Sequence, residues 1–137
     1  MPYLTSRRGL RWHYDEEGEG PGLLFLHGWS VDRRIWRQQF KVFCGDYRAV
    51  ALDLPGHGHS AWRPVSLAEM AEDIHELFLR DNGGWRVVSS SLGGLLAWQL
   101  AAHESSRIRA LVFTGSLPKF VQNEGAPYGL TPARVLK

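Results

Sequence analysis

Near the start of the chain Leu10, Trp12 and Tyr14 alternate with Arg11, His13 and Asp15. Period two is the signature of a half-buried strand, and the Arg8-Gly9 turn before it predicts a hairpin. Glu16 to Gly22, with three glycines and a proline, reads as a loop. Then the pattern changes. Leu23-Leu24-Phe25-Leu26 is apolar on successive positions, and a second buried strand spans Arg48 to Leu52. Strands of this kind lie in a parallel sheet covered on both faces. Between them, Asp32 is a candidate cap for a helix from Arg33 to Phe43, with Ile35, Trp36, Phe40 and Phe43 on one side. Ser66 and Glu69 form a capping box ahead of Leu67, Met70, Ala71, Ile74, Leu77 and Phe78, an amphipathic helix ended by Asn82-Gly83-Gly84. Arg86-Val87-Val88 is a short strand, Leu92 to Ala102 a helix expected to be buried nearly all round, and Ile108 to Thr114 another strand.

The order is a strand pair followed by β-α-β-α-β-α-β. It predicts an α/β fold in three layers, a mostly parallel sheet with an antiparallel front edge. Residues 1–116 read as the sheet core. Residues 117–137 read as the start of a further region, because Thr131 and Pro132 open a helix that stops after less than two turns at Lys137. The expectation is a chain cut at that point.

Composition narrows the classes. At 137 residues with 44% hydrophobic and 22% charged residues, one globular domain is the ceiling. The net charge is +2, and no Lys/Arg-rich run is present to track phosphates, so nucleic acid is not an expected partner. No apolar run approaches the roughly 20 residues of a bilayer span, and no apolar stretch follows Arg7 and Arg8 to make a secretory signal. With Cys44 as the single cysteine, a cytoplasmic setting is the reading.

The candidate chemistry lies in three loops. Ser89-Ser90-Ser91-Leu92-Gly93-Gly94, between a strand and a buried helix, has the setting of a nucleophile elbow, with Ser91 as nucleophile. Small residues two before and two after let strand and helix approach; Gly93 fills one of these positions and Ser89 the other. Leu26-His27-Gly28-Trp29 follows the first buried strand, where backbone amides of Trp29 and Leu92 would meet a developing oxyanion and Gly28 would permit the turn. His27 reads as a loop histidine bonded to backbone, a support and not a catalyst. The third loop is Asp53-Leu54-Pro55-Gly56-His57-Gly58-His59-Ser60. Its glycines do not open a helix, which excludes a dinucleotide site. His57 and His59 lack a third ligand, so no metal is expected, and no cofactor. The tryptophans are assigned mostly to core or pocket walls, with Trp29 placed to touch substrate.

LLFLHGWS, DLPGHGHS and SSSLGGLLAWQLA resemble the corresponding segments of α/β-hydrolase-fold esterases. The HGW tripeptide, SLGG and the run TGSLPKFVQNEGAPYGLTPARVLK are most similar to pimeloyl-[acyl-carrier protein] methyl ester esterases of biotin synthesis. The resemblance implies a serine carboxylic ester hydrolase working through an acyl-enzyme, on a small ester carried on acyl carrier protein. It implies a helical cap after residue 116, and a catalytic acid and base beyond Lys137, since triads on this fold run Ser, Asp or Glu, His. After Ser91 there is no Asp, and His103 is the only His. A serine nucleophile speaks against dehalogenases and epoxide hydrolases of this fold, which use Asp. The alternative reading is an inactive hydrolase-like fragment serving as a binding or assembly module. Either way, the strand at Ile108–Thr114 is expected to associate with the missing half or with itself.

Overall fold

The computed structural model describes residues 2–80 and 84–115. The proposed helix end at Asn82-Gly83 and the region 117–137, with Thr131 and Pro132, lie outside the described residues. The strands are β1 (Tyr3–Thr5), β2 (Arg11–Glu17), β3 (Gly22–Leu26), β4 (Arg48–Leu52), β5 (Trp85–Ser90) and β6 (Ile108–Thr114). They form one sheet in the order β1-β2-β4-β3-β5-β6. β1, β2 and β4 pair antiparallel in succession, whereas β4, β3, β5 and β6 run parallel. The expected front edge and parallel body are both present.

Alternation along the central strands sorts the core into two layers. Leu24, Leu26, Val50, Leu52 and Val87 point to one face, where they meet Ile74 of α2 (Leu67–Leu77) and Leu96, Ala97 and Leu100 of α3 (Leu92–His103). Leu23, Phe25, Ala49 and Ala51 point to the other, against Trp36 and Phe40. All five residues of β3 are buried, as a strand paired on both edges and covered on both faces must be. The front hairpin is tied down by charge. Arg8 Nε donates to Asp73 Oδ1 on α2 at 2.6 Å, and the buried Trp12 indole donates to the same carboxylate at 3.0 Å.

The helix expected over Arg33 to Phe43 is instead two pieces, a 3-10 turn at Arg33–Trp36 and α1 at Arg37–Phe43. Asp32 caps the first, accepting from the Arg34 amide at 2.9 Å. A 3-10 turn advances about 120° per residue against about 100° in an α-helix, so the apolar stripe slips out of phase. Trp36 and Phe40 still pack on Phe25, with ring centroids 5.5 and 6.4 Å away, but Ile35 and Phe43 face solvent.

The expectation for α3 needs a correction of its own. α3 is not buried all round: Trp98, Gln99 and Ala102 are exposed, because this helix overhangs the outer strand. There Trp98 stacks on Phe113 of β6 with centroids 5.0 Å apart. Of the tryptophans, 12, 36 and 85 are core residues, whereas 29, 62 and 98 are exposed. The capping box came out as read, with Ser66 Oγ accepting from the Glu69 amide at 3.1 Å.

Candidate active site

Parallel strands deliver their C-terminal ends to one rim of the sheet, and β3, β4 and β5 bring the three candidate loops together there. Ser91 occupies the single residue between β5 and α3, with φ 53° and ψ −119°. Only it and Ser30, just after Trp29, are non-glycine residues at positive φ among the described residues. Side chains cost energy in that region, and such outliers gather at functional sites. The Ser91 side chain does not cap the helix it precedes. Its backbone is held by an N–H to Thr114 O bond of 3.3 Å.

Two glycines allow the loops to close around the serine. A Cβ at Gly93 would lie 2.5 Å from the Leu26 carbonyl oxygen and 2.6 Å from that of His27, so α3 meets the end of β3 only because no side chain intervenes. A Cβ at Gly28 would lie 2.8 Å from Ser91 Cβ and 3.4 Å from its Oγ. The Gly28 backbone therefore rests directly against the serine. Leu92 is the first residue of α3, where amide groups lack helical partners. Trp29 is 67% exposed, with its ring at the rim. Ser89 is fully buried, its hydroxyl donating to Val112 O at 3.0 Å, while Thr114 Oγ1 donates back to Ser89 O at 3.0 Å.

His27 is fully buried and bonded to backbone at both ring nitrogens. The Leu54 amide donates to Nε2 at 2.9 Å, and Nδ1 lies 2.7 Å from the Gly28 carbonyl oxygen. An amide only donates and a carbonyl only accepts, so the proton sits on Nδ1. Burial holds the His27 pKa below its ordinary value, against the carbonyl bond and helped by the neighbouring His57. The His57 ring centroid is 5.1 Å away, and its Nδ1 donates to Pro55 O at 3.0 Å.

Asp53 organises the third loop, a role that sequence reading missed. Its fully buried carboxylate accepts from His13 Nδ1 at 2.8 Å, Arg33 N at 3.0 Å, Arg33 Nη1 at 3.1 Å and His59 N at 3.0 Å. Burial pushes its pKa up, but the His59 and Arg33 amides, the His13 ring and the Arg33 charge together bring it below the usual carboxylate value. Its donors are 40, 20 and 6 residues away in sequence, too far apart for any local pattern to reveal. Across the sheet from Ser91, Asp53 at the end of β4 is two strands away and His13 on β2 is three, about 10 and 14 Å by strand spacing. His103 is no nearer. α3 runs unbroken between the two, about 18 Å of helix. Among the described residues no group of three or more His, Cys, Asp or Glu is arranged to hold a metal.

The alpha/beta hydrolase fold model matches residues 21–131. This chain belongs to the α/β-hydrolase fold family. Among curated relatives of this hydrolase-fold chain is a pimeloyl-[acyl-carrier protein] methyl ester esterase of Vibrio cholerae, 36% identical over 88% of this chain and 46% of the relative. A non-heme chloroperoxidase of Kitasatospora aureofaciens is 33% identical over 95% of the chain and 50% of its own length. Among solved structures, an esterase from Exiguobacterium antarcticum superposes with a TM-score of 0.86 over 97% of this chain and 52% of its own, at 23% identity, a likeness of fold. The chain thus spans about half the length of the relatives it matches. No helix among the described residues is long and apolar enough to cross a membrane.

Proposed function

We propose that this chain carries the nucleophile and oxyanion hole of a serine carboxylic ester hydrolase. Ser91 Oγ attacks the ester carbonyl, and the amides of Trp29 and Leu92 receive the charge that develops on its oxygen. The alcohol leaves, and water then releases the acid from the Ser91 ester. The observation that carries this reading is the contact between two loops. Ser91 stands in a strained strand-to-helix turn, and the Gly28 backbone of the oxyanion loop lies against its side chain. The relatives named as pimeloyl-[acyl-carrier protein] methyl ester esterases favour a small alkyl ester on acyl carrier protein as substrate. In this reading the catalytic acid and base come from sequence beyond Lys137.

Active-site labelling tests the proposal directly. With no base in the chain, Ser91 needs one supplied from solution: a fluorophosphonate with added imidazole, which takes the Ser91 proton, should modify the purified chain at Ser91, seen by intact mass and peptide mapping, and Ser91→Ala should abolish the label. Turnover of a short p-nitrophenyl ester should stay near background. A label spread over several serines, or none, would favour the binding-module alternative. Ester turnover at an ordinary rate that Ser91→Ala removes would show a base within the chain, with His57 the first residue to test.

A further inference from the structure

The bond from His27 to the Gly28 carbonyl has a consequence one atom further along the chain. In a trans peptide the carbonyl of one residue and the N–H of the next lie in one plane and point in opposite directions. The described residues contain no cis peptide bond. Whatever holds Gly28 O therefore also aims the Trp29 N–H. We propose that His27 is a positioning residue for the oxyanion hole, locking the Gly28–Trp29 peptide plane so that the Trp29 amide faces the site. The inference rests on the reading of Trp29 as an oxyanion donor.

The loop needs such a lock. Gly28 must be glycine to sit against Ser91, and glycine has the freedom to let its peptide rotate. Ser30 on the other side of Trp29 is held at φ 67°, a conformation that the surroundings must impose. His27 is itself immobilised. Its ring is fully enclosed, and rotation would strip the buried Leu54 amide of its acceptor. Leu54 in turn follows Asp53, which its four donors hold in place. A continuous set of bonds thus runs from the β4 loop through the imidazole to the peptide that carries the donor.

The arrangement works only with a neutral ring. A proton on Nε2 would set N–H against the Leu54 N–H, and the imidazole would have to turn away from one of its two partners. Four groups govern that event: the half-buried His57 ring opposes the charge, Asp53 and Asp32 favour it, and the Gly28 carbonyl keeps its bond in either state.

Two conservative variants divide the roles of the two nitrogens. Asn at position 27 places an amide N–H near Nδ1 and can hold Gly28 O, but cannot reach Leu54. Gln can accept from Leu54 but has no donor at the Nδ1 position. The experiment uses the full chain, added imidazole as the base and a fluorophosphonate, whose phosphoryl oxygen occupies the oxyanion hole as fluoride leaves and the Ser91 proton passes to the imidazole. His27→Asn should label within about threefold of the parent. His27→Gln and His27→Ala should be slower by about tenfold or more, in the range of losing one oxyanion donor. The parent should also lose reactivity on acidification more steeply than His27→Asn. Residual dipolar couplings of the Trp29 N–H should match the parent in the Asn variant and change in the Gln variant. Equal labelling in all four proteins, or Gln outperforming Asn, would overturn the proposal and leave His27 a tether to Leu54. If Ser91 takes no label in the parent, the serine reading fails, while an unchanged Trp29 coupling in His27→Gln would still refute the lock on its own.

Discussion

β3 and β6 are both apolar strands in the parallel part of one sheet, yet they live differently. β3 has neighbours on both edges and helices on both faces, and every residue in it is buried. β6 pairs only with β5 among the described residues, and none of its seven residues is fully buried. Composition does not separate LLFL from LVF; position in the sheet does. The site follows the same division. His27, Gly28 and the loops on which they bear grow from the enclosed strands, whereas β6 serves the site at second hand, through Thr114 and the carbonyl of Val112.

The sharpest test substitutes the enclosed strand and its contacts. Leu24→Ala should cost about 2–5 kcal/mol in urea unfolding, since the site cannot collapse around the lost methyls. Gly93→Val should be at least as damaging, because the obstruction is backbone oxygen on β3. A loss below about 1 kcal/mol for either would mean that the centre of the sheet is loosely packed.

Acid should act next, and through the enclosed strands first. Burial depresses the pKa of His27 and also of His75, whose Nε2 donates to Leu100 O across α2 and α3. A depressed histidine is neutral in the fold while the unfolded chain takes up protons below about pH 6.5, so stability declines as pH falls from there. Asp53 works lower down. Its depressed pKa adds stability above about pH 4, and that contribution disappears as pH falls through the folded value. Urea midpoints measured from pH 8 to pH 3 should fall in two stages, and Asp53→Asn should flatten the second. A flat profile above pH 5 would contradict the assigned histidine states.

Substitutions in β6 should matter less. Thr114→Val removes one bond to Ser89 O and should cost about 1 kcal/mol. Val112→Lys should change stability by no more than about 0.5 kcal/mol, as at other exposed positions. Its effect should appear in light scattering instead, because an unpaired apolar edge invites pairing between chains and a lysine discourages it. A monodisperse parent, indifferent to Val112→Lys, would show that the edge is covered.

The enclosed part of the molecule was also the more legible. The run from Leu23 to Leu26, the Ser66–Glu69 box and the strand-to-helix turn at Ser91 are each written within a few residues. Ile35 and Phe43 misled because a helix period was extended through a 3-10 turn, and Trp98 because an apolar helix was assumed to have cover on every side. Asp53 and Arg8 were invisible for a different reason. Their partners converge from separate elements, and a buried carboxylate advertises nothing until the chain has folded around it. His27 was legible as a backbone-bonded histidine, but which carbonyl it holds was a matter of geometry.

Ser91 sets stability and chemistry in opposition at a single position. An L-residue held at φ 53° costs on the order of 1–3 kcal/mol that glycine would not pay. Ser91→Gly should therefore melt at a higher temperature than the parent, as long as the helix behind it keeps its place. A protein engineer seeking a hardier scaffold would choose that substitution early, and in doing so would remove the hydroxyl proposed as the nucleophile.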